Sequence, residues 1–193
     1  MSLPNPPRDA GARPPAESPA TDADPPERLM IGIVQEAGDW TRFEPVDRAI
    51  AAIAAVVGDH PRCRAAVGKE ATVALSSDAR VRALNLTYRG QDKPTNVLSF
   101  PSGDLADGYL GDIILAVETV TQEAAAQAIP PSHHLQHLVL HGLLHLIDYD
   151  HETDVDAAAM EGLETEILAS LGIPDPYAEP AAADTAPNGE RKI

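Results

Sequence analysis

His141, His145 and His151 are the residues of this 193-residue chain whose types and spacing could do chemistry. An interval of four puts two side chains on one face of a helix, about 6 Å of rise apart, so both imidazoles can reach a single ion. His151 lies six residues further on, past the expected helix end, where a turn can bring it back. Three imidazoles with an open fourth position are the arrangement of a catalytic zinc site. Three neutral ligands also leave the ion its full +2 charge, which favours an anionic substrate group such as phosphate.

The spacing coincides with the zincin-like pattern H-E-x-x-H-x-x-G-x-x-H of the metzincin proteases. Two positions differ. Gly142 stands where a protease carries its general-base Glu, and Asp148 stands at the turn glycine. A zinc metallopeptidase therefore lacks its proton acceptor. His137 extends the four-residue interval backward, but it lies about 12 Å of rise from His145, so one ion cannot take both. His137 is expected to support the site, and His134 and His60 are expected at the surface.

These residues need a helix that is buried yet offers a polar row. From about Ser132, expected as its N-cap, to Ile147, the segment is apolar nearly all round except for the histidines, which predicts a central metal-binding helix. Around it the patterning predicts helices at Pro45–Val57, from Ser77 to about Tyr88 with Gly90 ending it, at Glu118–Ala128 and at Asp154–Leu171. Strands are expected at Leu29–Gln35 (buried), Ala71–Leu75, Val97–Phe100 and Asp112–Val117. The expectation is an α+β (α/β layered) fold, a four-stranded mixed sheet with about five helices. Residues 1–28 hold eight prolines and read as a disordered tail, as do 178–193, leaving one domain over 29–177.

The net charge is −16, which argues against a nucleic-acid partner until its distribution is read. Residues 42–93 hold nine Lys or Arg against six acids, whereas Pro94 to Pro174 hold none against thirteen acids. A basic segment that could handle phosphate thus precedes an acidic half. No apolar run reaches the length of a membrane span, and no apolar signal core is seen near the N-terminus, so a cytoplasmic protein without a membrane partner is expected. Cys63 is the only cysteine and excludes a cysteine-based zinc site.

Two blocks carry a family resemblance. His141-Gly142-Leu143-Leu144-His145-Leu146-Ile147-Asp148-Tyr149-Asp150-His151 resembles the signature H-G-x-L-H-L-x-G-Y-D-H of the YbeY family of bacterial endoribonucleases, departing only at Asp148. The block Leu84 to Pro101, including Tyr88-Arg89-Gly90 and Lys93-Pro94-Thr95-Asn96-Val97, resembles the family's other hallmark. Leu110-Gly111-Asp112-Ile113 and the helix around Glu161 to Glu166 are also similar. The resemblance implies one Zn2+ per chain on His141, His145 and His151, and a functional Arg89. It further implies cleavage of single-stranded RNA, in maturation of the 3′ end of small-subunit ribosomal RNA and in ribosome quality control, with the ribosome or its proteins as partners and no DNA. A guanidinium suits that role, because it is permanently charged and grips phosphate oxygens in pairs. A non-catalytic ribosome-assembly factor with a structural zinc is the other alternative to the nuclease.

Overall fold

Four short segments rich in aliphatic and β-branched residues form one mixed sheet in the computed structural model, which describes residues 28–43, 45–103 and 107–178. The expected tails lie outside the described residues, apart from Arg28 and Ala178. The strands are β1 (Met30–Gln35), β2 (Glu70–Ser76), β3 (Val97–Pro101) and β4 (Tyr109–Ala116), in the order β1-β2-β4-β3. β1, β2 and β4 run parallel, and β3 closes the sheet antiparallel to β4. The helices are α1 (Val46–Asp59), α2 (Asp78–Arg89), α3 (Val117–Ala126), α4 (Pro131–Leu146) and α5 (Asp154–Ser170), with 3-10 turns at Thr41–Phe43 and Pro61–Ala66. The expected α+β class, four-stranded mixed sheet and five helices are all present.

Strand alternation divides the sheet into two faces. Val73 and Leu75 of β2 and Ile113 and Leu115 of β4 join α1, α4 and α5 in one large core. Leu98 and Ala116 point the other way, to Val81 of α2. The metal-bearing candidate helix, α4, lies inside the larger layer, with Leu135, Val139, Leu140, Leu143 and Leu144 almost fully buried.

Two local expectations are corrected. β1 is not a buried strand: Met30, Ile33 and Val34 are exposed, and only Leu29, just before it, is buried. β1 is the sheet's edge, paired on one side alone, and an apolar run cannot reveal edge position. Nor does Ser132 cap α4: the cap is Pro130, with Pro131 in the first turn, where the missing proline N–H costs nothing.

Two glycines set how closely the layers approach. Gly111 has φ 138, and a Cβ there would meet the Phe100 carbonyl oxygen at 2.2 Å. It sits where β4 shifts register against β2, so β4 begins earlier than the expected Asp112. Gly142 brings α4 down on β4, since an added Cβ would lie 2.9–3.0 Å from three side-chain carbons of the fully buried Ile113. Gly142→Ala should therefore lower the melting temperature. Overpacking costs about 1–3 kcal/mol, which outweighs the roughly 1 kcal/mol gained in helix propensity. Thermal denaturation checks this, and an unchanged or higher melting temperature would show that Ile113 can yield.

Candidate metal centre

α4 is apolar on the faces that meet the sheet and neighbouring helices, and it carries a row of histidines whose hydrogen bonds go to Glu123, to Glu164 and to the Tyr149 carbonyl. His134 is buried, not at the surface as expected, and its Nε2 lies 2.7 Å from Glu123 Oε2. Burial pushes its pKa down, opposed by the Glu123 carboxylate. The same Glu123 oxygen accepts from Asn96 Nδ2 at 2.9 Å, which ties α4 to the segment leading into β3. His137 Nε2 faces Glu164 Oε2 at 3.2 Å and the Tyr177 hydroxyl at 3.3 Å. His60 is also largely covered, 3.3 Å from Glu166.

His141 and His145 meet at the C-terminal end of α4. The helix ends in a Schellman turn: the Tyr149 N–H donates to the Leu144 carbonyl at 3.0 Å, and the Asp148 N–H to the His145 carbonyl at 3.3 Å. Asp148 has φ 68, the left-handed conformation that glycine adopts more freely. The turn reverses the chain. It places the Tyr149 carbonyl 3.0 Å from His145 Nδ1, and it stacks the His151 ring on His141 with centroids 5.6 Å apart and planes 21° apart. One nitrogen from each of His141, His145 and His151 then lies within 4.8 Å of the others, a group that could hold a metal ion. Asp148, on the same cleft, is not part of that group.

The hydrogen-bond partners decide the tautomers. His141 Nδ1 is 2.9 Å from Glu164 Oε1. Burial alone would raise the Glu164 pKa, but donors from His137, His141 and Tyr177 outweigh it and hold the carboxyl at about 2. An ionised carboxylate only accepts, so His141 Nδ1 carries the proton; His145 Nδ1 likewise must donate to the Tyr149 carbonyl. Both Nε2 atoms of neutral rings are then lone pairs, and they face each other at 3.2 Å. A cation bound by both would satisfy them. Burial, followed by the neighbouring His141 and His151, pushes the His145 pKa down, which disfavours a proton there. Two nitrogens on a tetrahedral ion at ordinary zinc distances are about 3.3 Å apart. The His141–His145 pair therefore fits such an ion, and a His151 nitrogen lies within 4.8 Å of both.

Outside the cluster a cleft of about 610 Å³ opens. Thr95, Asn96, Val97, Ser99 and Pro101 line it, together with the three histidines, Asp148, Asp150 and Glu152. Arg89, the last residue of α2, lines it too and is its only Lys or Arg among the described residues. Arg89 is exposed and makes no ion pair among those residues. By contrast, Arg82 is bound through two bonds to Asp92, at 2.6 and 2.8 Å. The segment after Arg89 is held by Gly90 in the left-handed cap, and by Asn85 Nδ2 donating to the Lys93 carbonyl at 2.8 Å.

The structure thus brings the four residues expected from sequence, Arg89, His141, His145 and His151, to one cleft. Sequence reasoning missed Glu164, Tyr177 and Tyr149. Glu164 is fully buried among Met160, Leu163 and Ile167, and its helical register with them is the signal that sets it apart from the other acids of α5. Tyr149 also bonds through its hydroxyl to the Arg62 carbonyl at 3.2 Å, which pins the turn to the 3-10 segment at 61–66.

A family model described as Endoribonuclease YbeY matches residues 37–172. A protein of Azorhizobium caulinodans named Endoribonuclease YbeY is 47% identical over 162 residues, covering 79% of this chain and 99% of that protein. One of the same name from Bradyrhizobium diazoefficiens is 47% identical over 167 residues, covering 80% of this chain and 88% of its own. Among solved structures, the solution structure of a Thermotoga maritima protein aligns at 25% identity with a TM-score of 0.48, over 79% of this chain and 99% of that one.

The turn after α4 yields a direct test. Asp148→Gly should raise stability by about 1 kcal/mol or less, because the left-handed position strains any Cβ while Asp tolerates it better than most. Denaturant melts of the metal-free proteins measure this, and a lower midpoint for the glycine variant would show that the Asp148 carboxylate contributes more than its backbone costs.

Proposed function

Because the chain belongs to the YbeY family, by a match that spans residues 37–172, we propose that it is a metal-dependent endoribonuclease that cleaves single-stranded RNA. In this reading His141, His145 and His151 hold one zinc ion, and Arg89 grips the scissile phosphate. The observation that carries the reading is the cleft itself, which is lined by an uncommitted guanidinium and by three converging imidazoles. Imidazole ligation suits zinc, as it does copper, iron and nickel. When bound, the ion supplies Lewis acidity and lowers the pKa of water.

The remaining chemistry belongs to the chain. Arg89 holds phosphate oxygens through paired N–H donors and offsets the charge that grows as phosphorus is attacked. From Pro94 to Pro174 there is no Lys or Arg, so the segment that builds the histidine site cannot supply that donor itself. Asp148, Asp150 and Glu152 also line the cleft, where they repel phosphate and favour its approach toward Arg89. Asp150 also accepts from the His151 N–H at 2.7 Å, which steadies the third imidazole. The residue after His141 faces Ile113 at a distance that leaves no room for a side chain, so the general base of a zinc protease has no place there.

The biological setting carried by this reading is maturation of small-subunit ribosomal RNA near its 3′ end, in the cytoplasm and in contact with the ribosome. Among the described residues no helix is long and apolar enough to cross a membrane.

Arg89→Ala should lower cleavage of a single-stranded RNA on the order of 10²–10³-fold, as loss of one positioned donor does, with metal content unchanged. Arg89→Lys should restore it only in part, since an ammonium lacks the planar fork. Near-normal cleavage by Arg89→Ala would remove Arg89 from the site.

A further inference from the structure

A carboxylate with no exposed surface is rare unless a cation balances it, because removing an anion from water costs several kcal/mol even after relaxation. Glu164 is such a group. Among the described residues no Lys or Arg pairs with it. Its partners are the imidazoles of His137 and His141 and the hydroxyl of Tyr177, all of them donors and none permanently charged. Oε1 takes the His141 Nδ1–H, and Oε2 takes Tyr177 and His137, so both oxygens are engaged. The negative charge is kept inside by three hydrogen-bond donors, one of which turns its other nitrogen toward the candidate metal position.

We propose that Glu164 is a positioning residue for the metal centre: it holds His141 with Nε2 free to ligate, its buried charge strengthens ion binding, and Tyr177 holds the carboxylate in place. The proposal rests on the three-histidine reading above. It makes the segment after α5 part of the site, since Tyr177 reaches back across it to α5 and α4. A carboxylate behind a ligating imidazole raises the basicity of the ligand nitrogen and fixes the ring, and removing such a partner typically weakens metal binding about 10–100-fold. Metal-free protein should feel the change as well, because both carboxylate oxygens accept from donors, and an amide in their place sets an NH2 group against one of them.

The test is competition between the full-length protein and a chromophoric chelator for Zn2+, paired with the visible spectrum of the Co2+-loaded protein and with melts of the apo form. Glu164→Gln is expected to bind Zn2+ about 10–100-fold more weakly, to shift the Co2+ bands, and to melt lower than apo wild type. Glu161→Gln, an exposed acid one turn away, is expected to bind as wild type does. Tyr177→Phe leaves the carboxylate but removes a donor, and its affinity is expected between the two; it carries the test if Glu164→Gln fails to fold. Loss of Zn2+ by His145→Ala together with wild-type affinity in Glu164→Gln, or in Tyr177→Phe where it stands alone, overturns the role of Glu164 only. Unchanged affinity in His145→Ala overturns the three-histidine site and the Glu164 role with it.

Discussion

The approach of His141 Nε2 and His145 Nε2 to 3.2 Å is the contact around which much of the architecture is arranged. Glu164 and the Tyr149 carbonyl occupy the outer nitrogens of His141 and His145, so the inner nitrogens have no proton of their own to share. The site is therefore preorganised for a cation. Each supporting group is itself fixed, Glu164 by Tyr177 and His137, and the Tyr149 turn by its bond to Arg62. Rings locked from behind lose little freedom when they ligate, which is how an outer partner adds to metal affinity.

The sheet and its glycines serve the same end. α4 carries its polar row at the edge of a layer that is otherwise aliphatic, and Gly142 lets the helix settle on Ile113 of β4. β3, antiparallel at the sheet's margin, lines the same cleft as the histidines. α2 ends at that cleft and delivers Arg89 to it. The chain's charge asymmetry becomes spatial: one cation from the basic segment shares the cleft with acids and imidazoles from the acidic half. For an anionic substrate this favours approach toward Arg89, even on a protein with a net charge of −16.

What the sequence disclosed and what it hid follow from the range of the interactions. The His141 and His145 interval, the helix that carries it, the Gly90 cap and the left-handed turn at Asp148 are local, and each was readable from a few neighbouring residues. Glu164 was not, because its partners lie 23 and 27 positions back along the chain and it sits among other acids of α5. His134 looked like one more polar residue near a helix start, yet α3 supplies Glu123 to cover it. The apolar run of β1 read as interior, and only the strand order, which no local pattern encodes, places it at the edge.

The central claim is that the facing nitrogens of His141 and His145 exist to hold a metal ion on which the activity depends. Elemental analysis of the purified protein, with the RNA cleavage rate measured on the same samples, tests it most directly. About one zinc per wild-type chain is expected, with loss of both metal and cleavage in His145→Ala. A metal-free wild-type protein that cleaves RNA, or a His145→Ala protein that keeps its full metal content, would contradict it.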